Sequence, residues 1–198
     1  FIGDAKEESI NMILQFAEAR KTGAIDRLVV TGCLSQRYMN ELKLEIPEVD
    51  AWYGVNDDKK IIEENGANYR TELLGERHLS TPKHFAYLKI AEGCNRSCSF
   101  CAIPMIRGAH KSRSMESLIE EAKKLATLGV KELLLISQDL TWYGIDLYKE
   151  QKLTELVRSL SDLNLFSRIR LHYLYPHTFP TDLLDLMSQR SDICPYLD

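Results

Sequence analysis

The chain has 198 residues, 44% hydrophobic and 27% charged, enough to bury a core in one large domain or two small ones. Its net charge of −4 speaks against a non-specific nucleic-acid binder, and RNA binding is not indicated, because polyanion affinity comes from clustered Lys and Arg. No uncharged apolar run approaches the ~18–20 residues that span a membrane and no signal-peptide pattern opens the chain, so a cytoplasmic protein with no membrane partner is expected.

From Ala5 to about Lys21, Ile10, Ile13, Leu14 and Ala17 recur at helical spacing and mark one apolar stripe. Asp4 is placed to cap that helix and Gly23 to follow its end. Arg27 to Thr31 reads as a short buried strand, with Gly32, Cys33 and Leu34 as the turn after it. A helix over Gln36 to Leu44, a strand over Val49 to Tyr53 and a helix over Asp57 to Glu64 follow. Strands alternating with helices predict an α/β layer with parallel strands, here over residues 1–66.

Residues 67–82 are polar and aperiodic and are expected to link two domains. The second domain, 83–198, opens with a strand over His84 to Ala91 that runs into a cysteine loop. Ser114 is an expected N-cap for a helix that buries Leu118, Ile119, Ala122, Leu125 and Ala126, and Gly129 is its expected C′ residue. Lys131 to Ser137 is a continuous apolar strand of the parallel-sheet type. A helix around Leu153 to Leu160, a strand over Arg168 to Tyr173, a helix over Pro180 to Ser188 and a last strand from Ile193 complete the pattern. Three βα units and the start of a fourth predict the opening part of a (βα) barrel. Both ends look cut, at Phe1 and at Asp198, so a piece of a longer protein is expected.

The five cysteines are unevenly placed, at 33, 94, 98, 101 and 194, which does not suit a disulfide framework. Cys94, Cys98 and Cys101 form a CxxxCxxC loop directly after a predicted strand. Three thiolates on one short loop can hold one face of an iron–sulfur cube and leave the fourth iron open to a small chelating molecule. A zinc site and a set of free thiols are the competing readings. Zinc sites usually use CxxC pairs with a fourth protein ligand, and the spacing before Cys98 is one residue too long for that. Cys194 is expected in the core.

Gln138 and Asp139 follow the KELLLIS strand, at the end where (βα) barrels place their sites; an ordinary loop start is the alternative. Arg107, His110, Lys111 and Arg113 make a local basic run, expected mainly as a solvated helix entrance. Trp52, Trp142 and the tyrosines form no regular stacking platform.

The cysteine loop, with aromatic Phe100 before its last cysteine, resembles the signature of the radical S-adenosylmethionine (SAM) superfamily. The wider stretch GCNRSCSFCAIPMIRGAHKSRS is similar to the methylthiotransferase branch. The downstream ELLLISQDLTWYGIDLY and IRLHYLYP resemble the members that modify an aspartate of a small-subunit ribosomal protein. Transfer-RNA methylthiotransferases share the loop but typically carry Gly-Gln-Asn where this chain has Ser137, Gln138 and Asp139.

The resemblance implies a fold, an α/β methylthiotransferase domain followed by the first part of a radical SAM partial TIM barrel. It implies two 4Fe-4S clusters in the parent enzyme. One is held by Cys94, Cys98 and Cys101 and binds SAM. The other has Cys33, in VVTGCLSQRY, as one of three ligands whose partners would lie upstream. It makes Phe100, Gln138 and Asp139 neighbours of the bound cofactor and a ribosomal protein the substrate. It names neither the electron donor nor the sulfur source. This piece alone is expected to lack full activity.

Overall fold

The computed structural model describes residues 3–68 and 79–198. The chain divides into two compact units, one of Phe1–Arg70 with Ser97–Arg107, the other of Thr71–Arg96 with Gly108–Asp198. Most of the expected 67–82 linker, residues 69–78, lies outside the described residues.

The first unit begins with helix α1 (Gly3–Lys21), whose buried side chains are Ile13 and Ala17. Strands β1 (Val29–Val30) and β2 (Ala51–Trp52) pair in parallel, Val30 opposite Trp52. The sequence suggests longer strands here, but the regular ladder closes after two residue pairs. Between them runs α2 (Cys33–Glu45), and α3 (Asp58–Glu64) follows β2. Helix α2 starts three residues earlier than its apolar pattern suggests, so Cys33 is the first helical residue and not part of a turn. Gly32 makes this abrupt entry possible with φ of 107°, a backbone region that side chains disfavour. Ile13, Ala17, Leu28, Val30, Leu34, Leu42, Ile46, Val49 and Trp52 form the core of this unit. The unit also holds the short helix α4 (Ile103–Arg107).

The second unit is built on a parallel sheet of β3 (Phe85–Lys89), β6 (Glu132–Ile136) and β7 (Arg168–Leu171), in that spatial order. Sequential order of parallel strands, with α5 (Met115–Thr127) and α7 (Leu153–Asp162) as crossovers, is that of a (βα) barrel, so the expected α/β class holds. Leu88 pairs with Leu135, and Leu135 with Leu171, and all three side chains are buried. Burial on both faces explains why Leu133–Ile136 reads as an unbroken apolar run. Ser114 caps α5, its hydroxyl accepting from the Ser117 N–H, and Gly129 follows the helix at φ 93°.

The strand expected over His84 to Ala91 is broken in two. After Ile90 the chain leaves the sheet, and β4 (Ala91–Glu92) pairs antiparallel with β5 (Lys111–Ser112). Helix α6 (Ile145–Tyr148) precedes α7, and α8 (Asp182–Gln189) follows β7. The last strand expected from Ile193 is present only as one parallel bridge, Ile193 to Ile169, with Cys194 buried beside it as expected.

Candidate functional site

The cysteine loop leaves β4 at Gly93, whose φ is 75°. A Cβ there would lie 2.2 Å from the Ala109 carbonyl oxygen and 2.6 Å from that of Gly108, so only glycine lets the two strands of chain pass this closely. The Cys94 N–H donates to Gly108 O at 3.1 Å, and Cys94 itself is buried. Asn95 accepts the His110 N–H at its Oδ1, 2.9 Å away. The Arg96 N–H points at Cys94 Sγ, at 3.4 Å.

A polar cluster of buried His110 and Ser112 with the exposed Asp146 supports this segment. The Ser112 hydroxyl donates to Asp146 Oδ1 at 2.6 Å and accepts from the Gly144 N–H at 3.0 Å, while the Ser112 N–H donates to Asp146 Oδ2. His110 Nε2 lies 3.2 Å from the same hydroxyl. Burial lowers the His110 pKa below its ordinary value, so the ring is neutral at pH 7. Burial pushes the Asp146 carboxyl up, but the hydrogen bonds from Ser112 outweigh it and hold the group below the usual carboxylate value. The expected solvated basic run is therefore corrected in part. His110 is 5% exposed, and Arg113 donates to Glu121, to Ser117 and to the Lys89 carbonyl, while Lys111 is exposed. The pull inward comes from β5, which pairs with β4 and carries this stretch against the strand ends.

Arg96 was not among the residues singled out from the sequence, yet it gathers the largest set of side-chain contacts described in the loop. Its Nε donates to Asp139 Oδ2 at 2.8 Å, and its Nη2 donates to the hydroxyls of Thr141, at 3.2 Å, and Thr178. Its guanidinium lies over the rings of Tyr175, at 4.2 Å, and Trp142, at 5.1 Å. A charged residue within a cysteine loop was the only signal for it in the sequence.

Asp139 is 3% exposed, and its other oxygen, Oδ1, accepts from the N–H and the hydroxyl of Thr141. Both carboxylate oxygens are thus taken by protein donors, which makes Asp139 an anchor for Arg96 more readily than a cofactor ligand. Gln138 differs. Its Oε1 is buried and has no protein partner, and it lines a cleft of about 250 Å³ with Tyr173, Leu174, Tyr175, Pro176 and Asp198.

In the first unit, Cys98 and Cys101 are half-buried and joined by a turn in which the Cys101 N–H donates to Cys98 O at 3.0 Å. Phe100, between them, is 92% exposed. Helix α4 follows at once, and Nη2 of Arg107 donates to Cys33 Sγ at 3.4 Å. All five cysteines are free thiols. Among the described residues no three His, Cys, Asp or Glu side chains gather closely enough to hold a single metal ion. Three free thiols within eight residues nonetheless fit, as a donor set, the three-cysteine ligation of an iron–sulfur cube. No described helix is long and apolar enough to cross a membrane.

A parallel βα arrangement entered by a CxxxCxxC loop is matched by the sequence pattern of the Radical SAM superfamily over residues 88–193, more than half of the chain, which belongs to that superfamily. Within it, the chain is similar along its whole length to proteins named ribosomal protein uS12 methylthiotransferase RimO. It is 54% identical to that of Bacteroides thetaiotaomicron, 53% to that of Flavobacterium johnsoniae and 52% to that of Cytophaga hutchinsonii. It spans 45% of the length of each.

Proposed function

We propose that this chain is part of a radical SAM methylthiotransferase that adds a methylthio group to the β-carbon of an aspartate in a small-subunit ribosomal protein, uS12. The reading is carried by the spacing of Cys94, Cys98 and Cys101 directly after β4, in a chain 54% identical over its full length to a uS12 methylthiotransferase. Residues 1–66 would be the methylthiotransferase domain, with Cys33 a ligand of a second 4Fe-4S cluster, and residues 83–198 the opening of the barrel.

Cys94, Cys98 and Cys101 would hold the first cluster by three thiolates. When bound and reduced, such a cluster would supply one-electron chemistry to SAM, and through it hydrogen abstraction from an unactivated carbon. The chain's own residues do the rest. Gly93, Asn95, His110 and Ser112 fix the start of the loop. Gln138 offers a buried acceptor with no protein partner, suited to an N–H or O–H of a bound molecule. Leu174 and Pro176 give the same cleft an apolar wall.

Anaerobic reconstitution with iron and sulfide tests the first step. The expected result is about four irons per chain for one three-cysteine cluster, with a paramagnetic signal that changes when SAM is added. Replacing Cys94, Cys98 and Cys101 together by Ala should remove the iron and the signal. Zinc in place of iron, or a reduced cluster indifferent to SAM, overturns the reading. Methylthiolation of a transfer RNA and not of uS12 by the longer parent protein would overturn the choice of substrate.

A further inference from the structure

We propose that Arg96 is a positioning residue that fastens the start of the cysteine loop to the chain segments after β6 and β7, and so presents Cys94 in a single orientation. The proposal rests on the assignment of that loop to the cluster.

Two separate segments converge on this one side chain. Asp139 and Thr141 follow β6, and Thr178 and Tyr175 follow β7. Arg96 lies two residues after Cys94, and its own N–H donates to the Cys94 sulfur. Main chain and side chain of one residue thus tie the thiol on one side and the strand ends on the other.

The chemistry requires arginine. The guanidinium is a planar fork that can bond Asp139 through Nε and two hydroxyls through Nη2 while its face lies on aromatic rings. A lysine ammonium could replace the charge but not the fork and the stacking together. The Arg96 side chain is 15% exposed and that of Asp139 3%, so the ion pair is shielded from salt and water. Charge-assisted bonds in such a setting are the short, strong kind, and removing one partner leaves the other buried and uncompensated. Asp139 is in turn held by the Thr141 N–H and hydroxyl, so the anchor point is itself fixed. Residues that orient metal ligands from behind typically change affinity or activity by about 10- to 100-fold when lost.

The test has one arm without cluster and one with it. In the cluster-free chain, Arg96→Ala should speed amide hydrogen exchange at residues 93–96 while leaving the amides of β6 unchanged. In the reconstituted chain it should leave the iron content in place and raise the SAM concentration needed to shift the paramagnetic signal by about tenfold or more. Arg96→Lys should restore only part of that shift. Thr178→Val, which removes a single acceptor and preserves the ion pair, should give a smaller change in the same direction and serves if Arg96→Ala fails to fold.

Unchanged exchange at 93–96 overturns the proposal, as does faster exchange with an unaltered SAM requirement in either variant. A wild-type chain whose cluster ignores SAM would instead sink the assignment of the loop, since the cluster-free arm reads Arg96 independently of it.

Discussion

The two units bury their apolar residues to different depths. In the barrel unit Leu88, Leu118, Leu133, Leu135, Leu153, Leu156 and Ile169 are all 0% exposed, around a sheet with full-length parallel ladders. In the N-terminal unit Tyr53 reaches 1%, but the clustered apolar residues stop at 3% exposure, at Ala17 and Ile46, and the strands are two residues long. Its surface also carries the pairs Arg20–Asp50 and Lys21–Glu48. The unit with the deeper core also carries Cys94, Arg96 and their supporting network. A side chain attached to such a frame is held in place, because close-packed interiors transmit strain and do not absorb it.

The comparison can be broken most directly in the cores. Leu135→Ala, in the central strand, should cost about 3–5 kcal/mol, and Leu34→Ala in the N-terminal unit only about 2–3 kcal/mol. Native-state hydrogen exchange followed unit by unit reads each loss separately. Equal losses would erase the distinction between a rigid and a yielding frame.

Gly93→Ala probes the link from frame to loop. The left-handed backbone alone costs about 1–2 kcal/mol for a side chain, and the new methyl must also displace the Gly108 and Ala109 carbonyls. The expected result is loss of protection at the Cys94 amide, which bonds Gly108 O, with reduced iron uptake and an intact sheet. Exchange at Cys94 equal to wild type would show that the loop does not depend on this close approach.

The smallest effect is expected from acid. Hydrogen bonding from Arg20, and then from the Leu28 N–H, lowers the Asp50 carboxyl from 3.8 to about 2. Its contribution is therefore fully present above pH 3.8 and disappears as the pH falls through about 2. Asp50→Asn should remove this step from the acid titration of the N-terminal unit without altering the barrel unit. A step of the same size in both proteins would assign it to another carboxylate.

Elements with strong local signals were legible in the sequence. Helix α5 announces itself through Ser114, a clean apolar face and Gly129, and β6 through its unbroken apolar run. Short elements were not. Helix α4 spans five residues and includes Pro104, and β4 and β5 span two residues each, too short for any period to show. The early start of α2, which makes Cys33 helical, depends on the backbone of Gly32 and not on an apolar pattern.

The site divides along the same line. Cys94, Cys98 and Cys101 are neighbours in sequence, so their spacing alone pointed to iron chemistry. The partners of Arg96 stand 43, 45 and 82 residues away, and Ser112 is 34 from Asp146. What the sequence by itself determined about this protein is the order of its βα units and the three-cysteine spacing of its loop, because local spacing and periodicity act within a few residues. Only the tertiary structure decided that Asp139 serves Arg96, that Gln138 is left with a free buried acceptor and that His110 is neutral and enclosed. Each of those depends on which strand ends the parallel sheet brings side by side.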